Sequence, residues 1–249
     1  MKFSVVIPTY QEEQYLTACL VAVGKQRFNR SEYEIIVSDA LSPDGTLQAA
    51  KKGSDKVVST PKRGIAHGRN FGAKSAAGEI LVFVDADVQL EPEFLRRCDE
   101  TFHEESVVGM TGIARPEGGT IFQRWTYRAT YFLVKTFQVF GLSLYPGLCV
   151  AYRRKAFEEV RGFREDFGVA EDLDLSRRIS KLGRCIVNAH AVATVSTRRL
   201  HKYGLSTILF HVYNDLRYLL TGRAAKFYPK IEETSSWMDI WKVNSEKHN

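Results

Sequence analysis

Ile80-Leu81-Val82-Phe83-Val84-Asp85-Ala86-Asp87-Val88-Gln89 is the stretch whose reading decides the fold. Five consecutive apolar residues read as a strand buried on both faces, as in a parallel sheet. Just upstream, Ile65–Ala77 reads as a helix with Gly78 as its C-cap. Earlier come a strand at Phe3–Ile7 ended by Pro8, a helix with Leu16, Leu20 and Val23 on one stripe, and strands at Glu34–Val37 and Val57–Val58. Strand and helix alternating with short links argue an α/β layer on a mainly parallel sheet. In such sheets ligands bind beyond the carboxyl ends of the strands. Three of those ends are polar here: Pro8-Thr9-Tyr10, Asp39, and Asp85-Ala86-Asp87.

Beyond about residue 105 the rhythm changes. Val107–Ile113 reads as a further strand, and residues 170–182 as a helix. Residues 121–146 are dense in aromatics, but Arg124, Arg128 and Lys135 deny them the ~20 uninterrupted apolar residues of a membrane span. Leu205–Leu220 has the spacing of an amphipathic helix, whose commonest use is to pack its apolar face inward.

Composition sets the outer bounds. The chain has 249 residues, 44% hydrophobic and 26% charged, with 18 Gly and 7 Pro, which excludes low-complexity and collagen-like classes. Cys19, Cys98, Cys149 and Cys185 form no Cys-x-x-Cys pair, so a reducing compartment is expected and a zinc site or disulfide framework is not. Met1-Lys2-Phe3-Ser4 runs straight into a strand rather than a signal sequence, which predicts a cytoplasmic protein. Residues 1–126 hold 15 Lys and Arg against 17 Asp and Glu, and residues 127–249 hold 20 against 12. The basic excess therefore belongs to the second half, and it suits nucleic acid, an anionic membrane surface or a phosphorylated substrate.

Two carboxylates directly after a buried strand have no core role, because desolvating a charge without a partner is costly. Mg²⁺ or Mn²⁺ commonly joins one or two such carboxylates to a diphosphate, and Gln89 offers an amide oxygen two residues on. The alternative is an acidic cap for a helix opening near Pro92. Asp39 reads as a hydrogen-bond acceptor for a base or sugar edge, and Asp44 as a helix cap. Arg63-Gly64-Ile65-Ala66-His67-Gly68-Arg69-Asn70 puts small residues and cations at a helix start, suited to phosphate or simply to a basic loop. Glu171-Asp172-Leu173-Asp174 stands at another helix start, where the macrodipole alone favours acids. Glu171 and Asp174 share a face and Asp172 projects elsewhere, so their roles could differ, and a carboxylate held near a polar acceptor could serve as a general base.

Taken in order, these segments resemble a family 2 glycosyltransferase of the GT-A fold, from about Phe3 to His201. The resemblance rests on VVIPTYQEEQYL, EIIVSDALSPDGT, RGIAHGRNFGAKSAAGEILVFVDADV and GFREDFGVAEDLDLSRRI. It implies a Rossmann-like, mostly parallel sheet flanked by helices, with acceptor-side helices toward the C-terminus. Residues 1–200 would be the catalytic domain, with 1–105 binding the nucleotide-sugar and 106–200 facing the acceptor; 201–249 would be an amphipathic helical extension. It also implies that Pro8, Thr9, Tyr10, Glu12 and Asp39 hold the nucleoside, with Arg69 near the sugar or diphosphate. Asp85, Asp87 and Gln89 would carry Mg²⁺ or Mn²⁺, with Asp85 also at the substrate. Asp172 would deprotonate the acceptor hydroxyl and Glu171 would position the acceptor or sugar.

The donor would be a UDP- or GDP-sugar. Asp85-x-Asp87-x-Gln89 is similar to the metal-binding segment of polyprenol-phosphate sugar transferases in that family. A polyprenyl phosphate or other lipid-linked acceptor, and peripheral contact with the cytosolic membrane face, follow as expectations. Two departures stand out: Ala40-Leu41 replaces the family's Asp-Gly, and Arg161 replaces the first Gly of Gly-Gly-Phe. The Gln-x-x-Arg-Trp of polymer synthases is absent, and Arg198-Arg199-Leu200-His201-Lys202 occupies its region, which favours single-sugar transfer. Three rivals remain. A sugar-1-phosphate nucleotidyltransferase would need a Gly-rich basic loop that VVIPTYQEE lacks. A nucleic-acid-binding module leaves the acidic strand ends unexplained, so no nucleic-acid partner is expected. A GT-A protein that binds nucleotide without turnover would not need both acidic pairs.

Overall fold

The computed structural model describes residues 1–139 and 142–225, with backbone alone for Arg199, Tyr203 and Leu205. In the first half, β1 (Phe3–Thr9), β2 (Tyr33–Asp39), β3 (Lys56–Ser59) and β4 (Ile80–Val84) run parallel. They are joined through α1 (Glu13–Gly24), α2 (Thr46–Gly53) and α3 (Ile65–Lys74). Side chains alternate across the strands, as the period of two requires. Phe3, Val5, Ile7, Ile80, Val82 and Val84 enter one core with Leu16, Leu20 and Val23 of α1. Val6, Ile36, Leu81 and Phe83 enter the other. Burial on both faces explains why these strands read as unbroken apolar runs.

The second half contains β5 (Val88–Leu90), α4 (Phe94–Phe102), β6 (Val107–Pro116), α5 (Ile121–Val139), β7 (Cys149–Arg153) and α6 (Arg154–Glu159), then α7 (Glu171–Ile179), β8 (Arg184–Val195), α8 (Arg198–Tyr203) and α9 (Leu205–Thr221). The strands complete one sheet in the order β3-β2-β1-β4-β7-β6-β8-β5. β7 is antiparallel to β4 and β6, and β5 is antiparallel to β8, so the sheet is parallel in its first half and mixed in its second.

Three sequence expectations change. Gly78 is not a helix cap: α3 stops at Lys74, and a Cβ on Gly78 would lie 2.5 Å from the backbone of Phe3 and Ser4. The glycine is there so that the chain can pass close to β1, and its N–H donates to Ser4 Oγ at 2.7 Å. The helix expected over 170–182 is shorter: Ala170, left-handed at φ 61°, stands before its first residue, and it ends at Ile179 with Ser180 as C-cap. Finally, α9 does not pack its apolar stripe inward. It buries Phe210, Asn214 and Tyr218, while Leu209, Val212, Leu216 and Leu220 face outward. Tyr218 joins Leu144, Phe167 and Leu173 in a small third core, which fastens α9 to α7. Residues 226–249 of the expected extension, and Phe140 of the aromatic stretch, lie outside the described residues.

Candidate active site

The carboxyl ends of β1, β2 and β4 lie side by side, with Thr9 paired to Asp39 in register. Asp39 is fully buried, and the hydrogen bonds to its carboxylate come from the end of β1 and from the turn that follows Asp39 itself. Thr9 Oγ1 donates to Oδ1 at 2.9 Å, Ser42 Oγ to Oδ1 at 2.6 Å, and the Ser42 N–H to Oδ2 at 2.9 Å. Asp39 thus shapes the 39–42 turn. Asp44 is not the N-cap of α2, a position that Gly45 holds; it lies one residue earlier and accepts from the Thr46 N–H at 3.1 Å and the Thr46 hydroxyl at 2.6 Å. Pro8 lies under α3, where a Cβ on Gly68 would approach it to 3.0 Å. The Tyr10 ring carries the Arg63 guanidinium 4.3 Å from its centroid.

Arg69 is the hub. It projects from α3 with 1% of its surface exposed. Its Nη2 donates to Asp85 Oδ1 at 2.8 Å and to the Gly147 carbonyl at 2.9 Å, and its Nη1 donates to Glu171 Oε1 at 2.9 Å. One guanidinium therefore ties the end of β4 to the start of α7. Asp172 accepts from the Gly147 N–H and, at 2.9 Å, from the Leu173 N–H. Burial raises the proton affinity of Asp85, Glu171 and Asp172; at Glu171 the neighbouring Asp172 charge adds to it, and Arg69 opposes it at all three. Arg69 itself stays charged among these carboxylates.

Asp87 has a different cation. Arg198, at the start of α8, places Nε 2.9 Å from Asp87 Oδ2 and donates from Nη2 to Glu12 Oε1 at 2.7 Å. Its guanidinium also covers the Tyr15 ring at 4.4 Å. Burial raises the Glu12 carboxyl despite Arg198, and its Oε2 is buried without a hydrogen-bond partner. Gln89 and Asp87 line a shallow cleft with Gln14, Tyr15, Ala18 and Glu117.

Asp174 turns away from this network. It pairs with Arg178, whose guanidinium holds the Val160 and Gly162 carbonyls, and accepts from the Tyr218 hydroxyl at 3.1 Å. Sequence reasoning missed two residues. Arg198 appeared only as part of a basic run. Asp215, on the half-buried side of α9, feels the charge of Asp172, and burial followed by that charge pushes its carboxyl up to about 7. Its sequence signal was a single acid inside an otherwise apolar and basic helix.

Backbone strain gathers at the same place. Gln11, Leu41 and Ala170 have φ of 58°, 53° and 61°, and each lies within two residues of Glu12, Asp39 or Glu171. Such conformations cost non-glycine residues about 1–2 kcal/mol each, and they collect at functional sites. Leu41 keeps the left-handed turn without the glycine that would favour it. Arg161, at φ 63°, does the same before Gly162.

A parallel α/β half with acids at its strand ends, continued by mixed strands and by α7, whose first turn supplies a second acidic cluster, is the GT-A glycosyltransferase architecture. Residues 4–161 match the profile of glycosyl transferase family 2, and the chain belongs to that family. Poly(ribitol-phosphate) beta-N-acetylglucosaminyltransferase TarS of Staphylococcus aureus is 36% identical over 123 residues, 45% of this chain and 22% of that protein. Dolichol-phosphate mannosyltransferase of Pyrococcus furiosus is 31% identical over 132 residues, 51% of this chain and 37% of that protein. The chain thus spans less than half the length of either curated relative. Among solved structures, S. aureus TarS 1-349 in complex with UDP-GlcNAc superposes with a TM-score of 0.64 at 25% identity, over 79% of this chain and 58% of that one. Mannosyltransferase PcManGT from Pyrobaculum calidifontis, in complex with GDP-Man and Mn²⁺, gives 0.71 at 23% identity over 90% and 65%, a likeness of fold.

Proposed function

We propose that the protein is an inverting, metal-dependent glycosyltransferase that moves a single sugar from a UDP- or GDP-sugar to an acceptor carried on a lipid. The observation that carries this reading is the Arg69 hub, which joins Asp85 on the donor side to Glu171 and the Gly147–Asp172 pair on the acceptor side. Family membership supports the sugar-transfer class. The names of the relatives support a nucleotide-sugar donor, and one of them acts with dolichol phosphate.

Pro8, Thr9, Tyr10 and Glu12 would form the nucleoside end of the site, with Asp39 acting through the turn it organises. Among the described residues no three His, Cys, Asp or Glu side chains converge as a ready metal cage. Mg²⁺ and Mn²⁺ do not need one, since they take oxygen ligands and complete their shell with phosphate and water. Asp85, Asp87 and the Gln89 amide are such oxygen donors, and the buried, unpartnered Glu12 Oε2 lies beside the Arg198 that pairs with Asp87. Bound there, the ion would neutralise charge on the departing diphosphate. Arg69 would act as a positioning residue, holding Asp85 and Glu171 in register across the reaction centre.

In the transfer itself, the acceptor oxygen forms a bond to the anomeric carbon as the bond from that carbon to the diphosphate oxygen breaks. The hydroxyl proton passes to Asp172, whose raised proton affinity suits a general base. A phosphate acceptor is already anionic, and toward it Asp172 would orient rather than deprotonate. Among the described residues no helix is long and apolar enough to cross a membrane. Peripheral contact with the cytosolic membrane face remains part of the proposal. The test is release of nucleoside diphosphate across a panel of UDP- and GDP-sugars, with and without polyprenyl phosphate. Turnover of one donor that rises with the lipid supports the reading, and no turnover of any donor rejects it.

A further inference from the structure

α5 is amphipathic in the inverted sense. Gln123, Tyr127, Tyr131, Val134 and Gln138 face the protein. The arc turned to solvent carries Phe122, Trp125, Phe132 and Leu133, with Trp125 64% and Phe132 70% exposed. By helical spacing, Arg124, Arg128 and Lys135 line one flank of that arc. The polar groups on the outward arc are satisfied within the helix: Thr126, Thr130 and Thr136 donate to the carbonyls of Phe122, Thr126 and Phe132 at 3.0, 3.1 and 2.8 Å. Side-chain hydroxyls that bond back in this way turn their methyl groups outward and ask nothing of water. α9 repeats the pattern, with Leu216 53% and Leu220 84% exposed.

We infer that α5 and α9 are interfacial helices that dock the protein on an anionic lipid surface. Charge complementarity selects this occupant. α5 holds no Asp or Glu, and α9 holds Asp215 alone, on its half-buried side; together they carry Arg124, Arg128, Lys135 and Arg217. A second copy of the chain packing isologously on α5 would bring these cations against their own kind. An anionic headgroup layer accepts them while the aromatics and leucines enter the acyl boundary. Because α9 is fastened to α7 through Tyr218 and Asp174, docking also brings the Glu171–Asp172 end of the site to the lipid. The inference deepens the lipid-linked acceptor proposed above, but its test needs no sugar donor, so the two fail separately.

The experiment is vesicle sedimentation of the full chain, comparing phosphatidylcholine alone with phosphatidylcholine plus phosphatidylserine, at low and high salt. The expected result is pelleting with the anionic vesicles and release by salt. Replacing Arg128→Gln and Lys135→Gln together should weaken binding roughly 30-fold, at about fivefold for each cation lost. Trp125→Ser with Phe132→Ser should weaken it at least as much. These side chains are exposed, so circular dichroism and hydrolysis of the soluble donor should stay at wild-type values. Equal pelleting with neutral vesicles would overturn the proposal, as would no pelleting. Self-association without lipid that Trp125→Ser abolishes would show a protein interface in its place.

Discussion

The two acidic segments of the site, 85–87 and 171–174, manage their charge differently. Asp85 and Asp87 stand two residues apart, and each has a guanidinium brought from elsewhere in the chain, Arg69 for one and Arg198 for the other. In the second segment Glu171 shares Arg69 with Asp85, and Asp174 has Arg178. Asp172, between them, is held by the backbone N–H groups of Gly147 and Leu173. A carboxylate paired with a guanidinium is fixed in position by a directed, charge-assisted hydrogen bond. Asp172, held by backbone dipoles with no ion pair of its own among the described residues, has a proton affinity raised by burial that a substrate can use. On the proposed reading, the difference separates acids that bind charge from the acid that moves a proton.

The comparison breaks most sharply at Asp87. Asp87→Ala should abolish transfer while the protein stays folded, and EDTA should do the same to the wild type until Mn²⁺ or Mg²⁺ is returned. Full activity in EDTA after exhaustive dialysis would remove Asp85 and Asp87 from metal binding. Next in size is Arg69→Met, which leaves Asp85 and Glu171 buried without their cation. A loss of about 3–5 kcal/mol is expected in urea unfolding, as for other broken buried pairs. A loss below 1 kcal/mol would mean that the hub does not hold the two segments together.

Asp215 sharpens the contrast through pH. Its carboxyl is raised to about 7, so the stability it contributes is complete below the unfolded value near 3.9 and is lost as pH rises through 7. Asp215→Asn should therefore be more stable than wild type at pH 8, by on the order of 2 kcal/mol, and the advantage should shrink toward pH 5. A constant difference between the two pH values would contradict the shift. The smallest effects concern strain. Leu41→Gly and Arg161→Gly should each stabilise by up to about 1 kcal/mol, because the left-handed penalty removed exceeds the entropy that glycine adds. Destabilisation of either would mean that packing of the side chain outweighs the dihedral cost.

The first half of the fold was legible because its strands are buried on both faces, which writes Val5–Ile7, Ile35–Val37 and Ile80–Val84 as continuous apolar runs. The second half was less so. The outward stripes of α5 and α9 carry the same periodicity as inward ones, and spacing alone does not say which side meets water. Gly78 was read locally as a cap when its reason is the distant backbone of β1. The acids were legible from their positions after strands and before helices, but their partners were not. Arg198 reaches Glu12 from the far end of the chain, a pairing that only the fold creates. Leu41 and Arg161 concealed two left-handed turns, and the one available signal was that the family has glycines there.

The central claim, that Asp172 takes the acceptor's proton while its neighbours hold charge, is tested by the turnover of Asp172→Asn beside Asp174→Asn on one donor, with a hydroxyl acceptor and a phosphate acceptor. The account predicts that Asp172→Asn loses a factor on the order of 10²–10⁴ on the hydroxyl acceptor with donor affinity nearly unchanged. It predicts little loss for Asp172→Asn on the phosphate acceptor, and little for Asp174→Asn on either. Equal losses for the two variants on the hydroxyl acceptor would contradict it.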